Sequence, residues 1–409
     1  MKLKPRKIAE AVAEKILMAS GYLTSIVIVL IVVFLFREGA GLFDSPAVEQ
    51  GYVLAVNRAN PVQSLTPEQI MQIFDADLTN WSEVGGPDDS ILVFRLDDIT
   101  SYATEQELGA DLSRAPQCLS RIVADHPNMI AYLPEQYVAP DFAGKVLGEG
   151  RITPASFFAG RQWYPTAAPA PQYGLIPLLA GTLWVSLAAI LIALPLGLSV
   201  AIYMAELADS RLRRMLKPVI ELLAGIPSVV YGFFGMIVLV PAVQAMVKSP
   251  FFKTVLHVKS GKGMSLFTAA VLLGIMILPT IITVSKTSLD AVPGSYYEGS
   301  LALGATHERS VFYAVLPAAK SGVLSAVILG IGRAIGETMA VVMVAGNQTW
   351  MPKGLFQGLR TMTSNIVIEM GYAADLHREA LIATGVVLFV FILLINLCFS
   401  LVKGGKDYA

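Results

Sequence analysis

Charged side chains are scarce in this sequence. Only 15% of its 409 residues are charged and 55% are hydrophobic, whereas roughly a quarter of the residues in an ordinary soluble domain carry a charge. This balance excludes a wholly water-soluble protein. It predicts a membrane protein with a soluble part.

Cysteine and histidine are also rare. The two cysteines, Cys118 and Cys398, lie far apart, and Cys398 falls inside an apolar run, so we expect no disulfide. The four histidines show no metal-ligand spacing, and we expect neither a metal site nor a bound cofactor. The nucleotide-binding pattern G-x-x-x-x-G-K-[ST] is absent as well, so the chain does not hydrolyse ATP by that route.

Long apolar runs are what the sequence has instead. A membrane-spanning helix needs about 20 predominantly apolar residues. Six segments reach this length, namely 16–36, 175–204, 222–247, 266–285, 321–346 and 380–402. They predict an α-helical membrane protein with six transmembrane helices.

Positive charge in the short connections predicts the orientation of these helices. With the N-terminus inside, the cytoplasmic pieces hold fourteen Lys and Arg residues and the short outer loops hold seven. Because cytoplasmic loops are enriched in Lys and Arg, the end segments 1–15 and 403–409 are predicted to be cytoplasmic. The outer loop 248–265 resists the rule, since it carries four lysines and no acidic residue.

Residues 37–172, called the insertion below, are too polar to span a membrane and long enough for a small domain. They carry 18 acidic and 8 basic residues, a net charge of −10. An α/β unit outside the membrane is predicted, because short apolar runs typical of buried strands alternate with a helical pattern. The strand candidates are 51–57, 91–96 and 128–134.

Within the insertion, 64–74 has the pattern of a helix. Thr66 is the expected N-cap and Pro67 the first helical residue. We expect this helix, the first strand and Trp81 to share one core. The Pro- and Ala-rich stretch 164–174 is predicted to be a linker back to the membrane.

Arg333 and Glu337 stand out because they lie inside the fifth apolar run. A charge at that depth costs at least ~2.5 kcal/mol. The i,i+4 spacing would place both residues on one helix face, where they can pair. They form either a structural ion pair that fixes helix packing or a pathway for a charged solute, and a forked arginine would suit an oxyanion.

The same run has two sets of small residues, which allow another helix backbone to approach closely. One set comprises Gly322, Ala326, Gly330 and Ala334, and the other Gly332 and Gly336. The run is therefore predicted to be a helix buried in a bundle.

The connection 292–320, called the elbow below, predicts two short helices. Ser295 and Glu298 have the spacing of a capping box. Gly304 can end the first helix in the left-handed conformation, and Thr306 can cap the second. Such an elbow is either a simple loop between spans or a rigid element suited to docking.

Glu298, Gly304, Leu316 and Pro317 match the spacing of the EAA loop of ABC importer permeases. In that family the loop docks into the nucleotide-binding subunit. Both alanines after the glutamate, and the isoleucine before Leu-Pro, are replaced here. The resemblance implies that these four residues couple the chain to an ATPase.

A wider stretch, roughly 173–402, resembles the phosphate importer permeases of the PstC type. "PVIELLAGIPSVVYGFFGM" and "GRAIGETMAVVMVAGN" carry this resemblance. It implies the type I ABC importer permease fold and a role for Arg333 and Glu337 in phosphate passage. The implied partners are a PstA-like permease, a PstB-like ATP-binding dimer and a phosphate-binding PstS-like protein.

The insertion resembles part of the PstS-type binding proteins through "NPVQSLTPEQIMQIFDADLTNWSEVGG". In that family an arginine and a following Ser-Gly-Thr turn grip phosphate. Here Arg95 is followed at those positions by Ile99, Thr100 and Ser101, and the segment is long enough for only one of two lobes. A docking or gating role for a loaded binding protein is therefore favoured over phosphate binding.

Together these patterns predict a PstC-like subunit of the bacterial inner membrane that imports phosphate with ATP hydrolysed by its partners. No nucleic-acid partner is expected. Two alternatives stay open, a permease for another oxyanion such as sulfate or molybdate, and a membrane-tethered ligand sensor. The predicted regions are 1–15, the first span 16–36, the insertion 37–172, a permease core 173–402 and the tail 403–409.

Overall fold

A computed structural model describes residues 5–46, 48–49, 51–148, 150–254 and 262–404. Lys259 of the basic outer loop and residues 405–409 of the predicted tail lie outside these ranges. The helices are α1 (Pro5–Gly41), α2 (Pro67–Phe74), α3 (Glu105–Leu108), α4 (Ala115–Asp125), α5 (Pro154–Ala159), α6 (Ile176–Ile202), α7 (Ser210–Gly225), α8 (Ser228–Phe234), α9 (Val240–Lys248), α10 (Pro250–Thr254), α11 (Leu266–Asp290), α12 (Gly294–Ala302), α13 (His307–Ser310), α14 (Leu316–Ala318), α15 (Lys320–Gly336), α16 (Met339–Val344), α17 (Met362–Glu369) and α18 (Asp375–Gly404).

Five helices in the described part of the chain are long and apolar enough to cross a membrane. A sixth span exists if two helical segments, His307–Ala318 and Lys320–Gly336, count as one, although they meet at a bend of 69°. The predicted span 222–247 is wrong at its start. α7 ends at Gly225 and α8 begins at Ser228, because Pro227 disfavours helical backbone at the residue before it.

The core of the helical bundle forms around α6 and α11, which run side by side in the same direction. A Cβ on Gly197 would lie 2.8 Å from Ile281 Cγ2, and a Cβ on Gly274 would lie 3.4 Å from Ala189 O. α15 runs back along both, with Gly330 facing Ile281. This close packing of small residues is how helices associate where lipid offers no hydrophobic driving force.

The bundle has two distinct ends. α6, α11 and α18 all begin at the end that carries the insertion, called the insertion side. α7 and the elbow helices α12–α14 lie at the opposite end, called the elbow side. α1 packs along α18, with Gly39 against Ala383, so the outer ends of α1 and α18 both lie at the elbow side.

The insertion has a four-stranded sheet covered on both faces. Its strands are β1 (Tyr52–Val56), β2 (Leu92–Arg95), β3 (Met129–Pro134) and β4 (Lys145–Val146), in the order β2-β3-β1-β4. β1 is antiparallel to β3 and β4, and β2 is parallel to β3. The three predicted strands and the capped helix α2 are confirmed.

Side chains of β1 alternate between two cores. Val53 and Ala55 pack with α4 on one face. Leu54 and Val56 pack with α2 and Trp81 on the other, as expected. Burial on both faces explains why the strand reads as a continuous apolar run.

The Pro- and Ala-rich stretch is not a free linker. β5 (Trp163–Tyr164) pairs with β6 (Gln172–Tyr173), and Gln172 Nε2 donates to Pro67 O at 3.0 Å. Trp163 and Tyr173 are buried against α18. Composition predicted a linker back to the membrane, but the side chains of Trp163 and Tyr173 tie this part of the chain to the bundle.

Candidate functional site

Arg333 lies in the last turn of α15, about 20 Å along the helix from its first residue. Its Nη1 donates to Thr280 Oγ1 at 3.1 Å. Thr280 follows Pro279 on α11. Arg333 is exposed, and its other guanidinium N–H groups have no hydrogen-bond partner among the described residues. A forked cation is thus held on one side and open on the other.

Glu337 is not on the helix of Arg333. α15 ends at Gly336, and Glu337 has extended backbone angles of φ −68° and ψ 133°. No ion pair joins Glu337 to Arg333 within the described ranges, so the predicted i,i+4 pair is wrong. Gly336 is a weak helix former. The Thr338 hydroxyl donates a hydrogen bond to the Gly336 carbonyl oxygen at 3.1 Å, in competition with a helical backbone bond, so the helix ends there.

The break gives Glu337 other partners. Its Oε1 accepts from Ala340 N at 3.3 Å, which caps the start of α16. Thr363 Oγ1 donates to the Glu337 carbonyl at 3.0 Å. The predicted span 321–346 is therefore two helices with a polar joint, and the joint follows directly after the arginine.

The two small-residue sets of α15 have different surroundings. Ala326 and Ala334 are buried, and a Cβ on Gly322 would meet Ser288 Oγ at 2.2 Å, so the first predicted face is confirmed as a packing face. A Cβ on Gly332 or Gly336 would have no atom within 4 Å. The surface beside Arg333 is thus left open in this chain.

The elbow forms as the sequence predicts, except at its start. Gly304 adopts φ +87°, and Gly304 N and Ala305 N donate back to Leu301 O and Ser300 O, which is a Schellman ending. Thr306 caps α13 by accepting from Arg309 N. The capping box at Ser295 and Glu298 is wrong, because α12 begins at Gly294 with Pro293 as its N-cap.

The surface of the elbow is unusually apolar for an exposed turn. Leu303 is 91% exposed and Tyr313 is 78% exposed. Glu298 is exposed on α12. Leu316 and Pro317 begin α14, and one residue then separates α14 from α15. An object pressed on the elbow would act directly on the helix that carries Arg333.

Sequence reasoning missed a buried polar cluster at the insertion side, called the Glu369 cluster and formed by Trp163, Arg360, Glu369 and His377. Glu369 is 4% exposed. Its carboxylate pairs with Arg360 and accepts from Trp163 Nε1 and His377 Nε2, each at 2.8 Å. The cluster joins β5 of the insertion to α17 and α18. The scattered positions gave no signal in the sequence.

Electrostatics in this cluster favour the ionised carboxylate. Burial alone would raise the pKa of Glu369, but the hydrogen bonds from His377 and Trp163 and the charge of Arg360 outweigh it, so the pKa lies below its ordinary value. The insertion is thus fastened to the bundle by a charged, fully partnered group.

Arg95 of the insertion is exposed and lies beside an aromatic ring. The Arg95 guanidinium carbon lies 5.4 Å from the centre of the Phe74 ring. A 3₁₀ helix, Leu96–Ser101, follows, in which Asp98 accepts from Arg95 N at 2.9 Å and Ile99 is buried. Ile99 thus stands where the turn of the binding proteins has its first hydroxyl, and the Asp98 carboxylate comes directly before it.

Known families match this arrangement. The family of binding-protein-dependent transport system inner membrane components matches residues 193–404, and a PBP superfamily domain matches 35–148. The chain belongs to the first family. This permease is 41% identical over 251 residues to the probable ABC transporter permease protein YqgH of Bacillus subtilis, covering 60% of this chain and 77% of that protein.

A second relative is the phosphate transport system permease protein PstC of Mesorhizobium japonicum. It is 37% identical over 250 residues, which cover 59% of this permease and 75% of the relative. Among solved structures, an amino acid ABC transporter matches with a TM-score of 0.40 and 20% identity over 56% of this chain and 92% of that one. At this score the likeness carries no weight beside the family match.

Membership of the family establishes the general role. The chain is a multi-pass permease subunit of the inner membrane and has no ATPase site of its own. It works in an ABC system with ATP-hydrolysing and substrate-binding partners.

Proposed function

We propose that this permease is the PstC-like membrane subunit of an importer for inorganic phosphate. Its relatives named for phosphate transport support this substrate, with 37% identity over 250 residues in one of them. The observation that carries the proposal is Arg333, an exposed forked cation about 20 Å along α15 that has one side-chain partner and room for an oxyanion.

Arg333 and Glu337 would act together on the translocation path. The guanidinium would hold two phosphate oxygens at once. The Glu337 carboxylate at the helix break would oppose the anion and keep it from binding too tightly to leave. Because Gly332 and Gly336 leave the surface beside Arg333 open, a PstA-like permease would complete the path.

Sidedness follows from the elbow. If a PstB-like ATPase dimer binds at Glu298, Gly304, Leu316 and Pro317, the elbow side is cytoplasmic. The end segments 1–15 and 403–409 would then be cytoplasmic, and the insertion would lie in the periplasm. The proposed division is a first span at 16–36, the insertion at 37–172 and a permease core at 173–402.

Entry of phosphate would start at the insertion side. A cleft of about 620 Å³ opens there, lined by Lys262, Lys353 and Trp350 among others. A phosphate-loaded PstS-like protein would dock over this basic cleft, with the insertion beside it. The insertion itself would serve docking, since Arg95 stacks on Phe74.

Coupling to ATP would pass through the joint at Ala319. Closure of the ATPase dimer would press the exposed elbow. α13–α14 meet α15 at a bend of 69°, so movement of the elbow would tilt α15 and change the access of Arg333 to the two sides.

Phosphate uptake by the reconstituted complex tests the proposal. Arg333→Gln should lower uptake by about tenfold to a hundredfold, the worth of one or two charge-assisted hydrogen bonds, while the complex still assembles. Arg37→Gln, which removes an exposed arginine from α1, is the matched control and should transport normally. Normal uptake by Arg333→Gln, or selective uptake of sulfate, would reject the assignment.

A further inference from the structure

The helix α7 has a surface that the transport cycle described above leaves unused. It joins α6 to α8 at the elbow side and follows a π-helical turn, Tyr203–Leu207, that ends α6. Only Ala208 and Asp209 separate that turn from α7, and two residues separate α7 from α8. Both neighbours belong to predicted spans, and α7 begins where the chain leaves α6 at the elbow side.

Four cations stand within its first eight residues, at Arg211, Arg213, Arg214 and Lys217. Lys217 has an exposed partner in Glu221 at 3.8 Å. No acidic side chain pairs with the three arginines in the described part of the chain. This end of α7 therefore carries unbalanced positive charge.

Three of these cations line one cleft. Arg213, Arg214, Lys217 and Ser210 surround a space of about 370 Å³. Arg213 Nη2 donates to Ala205 O at 2.7 Å, which holds the side chain at the end of α6. The Arg213 Nε is buried and has no hydrogen-bond partner among the described residues. The cleft thus places one held guanidinium beside two further cations, which suits an anionic group.

An apolar stripe lies next to the basic surface. Met215, Val219 and Leu222 are 65%, 48% and 72% exposed, and their spacing of four and three residues places them on one face. A different face, with Ile220 buried and Leu216 partly buried, packs against the bundle. Arg214 and Lys217 lie on a third face, three residues apart. α7 therefore has a packed face, an exposed apolar face and a face with two cations.

We propose that α7 is an interfacial helix that binds the phosphodiester headgroups of anionic lipids in the cytoplasmic leaflet. Clusters of four or more cations beside a span attract that leaflet. An amphipathic helix in the membrane plane buries its apolar stripe at the headgroup boundary. Charge complementarity favours lipid over a protein partner, which would have to be acidic and apolar in adjacent stripes. The proposal rests on the sidedness proposed above.

The first test measures how deep the apolar stripe lies in the membrane. A nitroxide label on Met215→Cys in a Cys398→Ser background, in the full complex in lipid nanodiscs, reports access of oxygen and of a water-soluble nickel chelate. Cys118 is buried and stays unlabelled. We expect high oxygen and low nickel access. High access of the nickel chelate would place the stripe in water. Low access of both oxygen and the chelate would place it against a partner subunit. Either result would overturn the proposal.

Headgroup selectivity is the second test. Native mass spectrometry of the complex from nanodiscs containing phosphatidylcholine and phosphatidylglycerol should show several-fold less retained phosphatidylglycerol for the triple variant R211Q/R214Q/K217Q. The matched control R114Q/R121Q/R161Q removes three charges from the insertion and should retain wild-type lipid. Equal retention in both variants, or displacement of the lipid by inorganic phosphate, would overturn the proposal.

Transport and lipid binding are separable in these experiments. Arg333→Gln should retain phosphatidylglycerol as the wild type does, whatever its uptake. If uptake of phosphate fails to depend on Arg333, the proposed function falls while the lipid measurement still stands by itself.

Discussion

At the scale of single residues, Arg333 is defined by what holds it and by what does not. Thr280, on another helix, orients one nitrogen of its guanidinium. Glu337, expected to neutralise it, caps α16 instead. The charge is therefore available to a solute, which is the condition for a route through the membrane.

Arg333→Lys tests the geometry of this group and not only its charge. Lysine is a point charge and cannot reproduce two parallel hydrogen bonds to an oxyanion. We expect uptake to fall by roughly tenfold, in line with the loss of one charge-assisted bond. The initial rate measured against phosphate concentration decides the matter, and a wild-type curve would mean that the fork is not used.

Glu369→Gln tests the buried cluster. Removing one partner of a buried ion pair costs about 3–5 kcal/mol, because Arg360 is left uncompensated. Trp163→Phe keeps an aromatic ring and loses only the indole donor, so it should cost less, about 1–3 kcal/mol. Thermal unfolding of the purified complex in detergent measures both.

The same cluster predicts a dependence on pH. Since the folded-state pKa of Glu369 lies below its ordinary value of 4.5, its stabilisation is complete above that value and is lost as the pH falls through the lower folded-state pKa. The difference in unfolding temperature between wild type and Glu369→Gln should be largest near neutral pH and shrink in acid. A difference that does not change with pH would contradict the ionised assignment.

At the scale of elements, the elbow is a rigid object with a one-residue joint. α12 and α13 are fixed to each other by the turn at Gly304, by the Thr306 cap and by the Tyr297 hydroxyl on His307 Nδ1 at 2.5 Å. Because the elbow is rigid, a displacement of Leu303 or Tyr313 would move α15 as well.

Gly304→Val tests the turn against a matched control, Gly299→Val. A Cβ at either glycine would meet no atom within 4 Å, and only Gly304 has a positive φ. A β-branched residue at Gly304 is strained by more than about 1 kcal/mol. We expect ATP hydrolysis without transport, or weak ATPase binding, for Gly304→Val only. Coupled transport by both variants would reduce the elbow to a connector.

At the scale of the whole molecule, the two residues that flank the four-stranded sheet part of the insertion lie side by side. Pro46 and Arg151 form an antiparallel bridge, and the rest of the insertion, with Trp163, is fixed to the bundle. The segment between Pro46 and Arg151 can therefore be removed without separating the helices on either side of it.

Replacing 47–150 by a short Gly/Ser turn should leave the permease folded and able to assemble. Uptake should fall through weaker docking of the binding protein, so a higher concentration of that protein should partly restore it. Titration of the wild type and the deletion with phosphate should show no site that the insertion alone supplies. An unchanged dependence on binding protein, or the loss of a micromolar phosphate site, would contradict this role.

The sequence by itself determined the features that depend on neighbours along the chain. Apolar length predicted most of the spans, short apolar runs predicted the strands, and capping predicted α2. Gly304 predicted the elbow turn. Each of these features follows from local sequence. Arg333 was also identified from the sequence, because a charged residue inside an apolar run has a high free energy in lipid.

Only the tertiary structure decided which groups meet. Arg333 and Thr280 are 53 residues apart, and Trp163 and Glu369 are 206 apart, so no spacing rule could pair them. The i,i+4 rule failed at Glu337 because it assumes an unbroken helix, and the Trp163 hairpin looked like a linker because its order comes from contacts with α18. Long-range packing sets these positions, and local preference does not encode it.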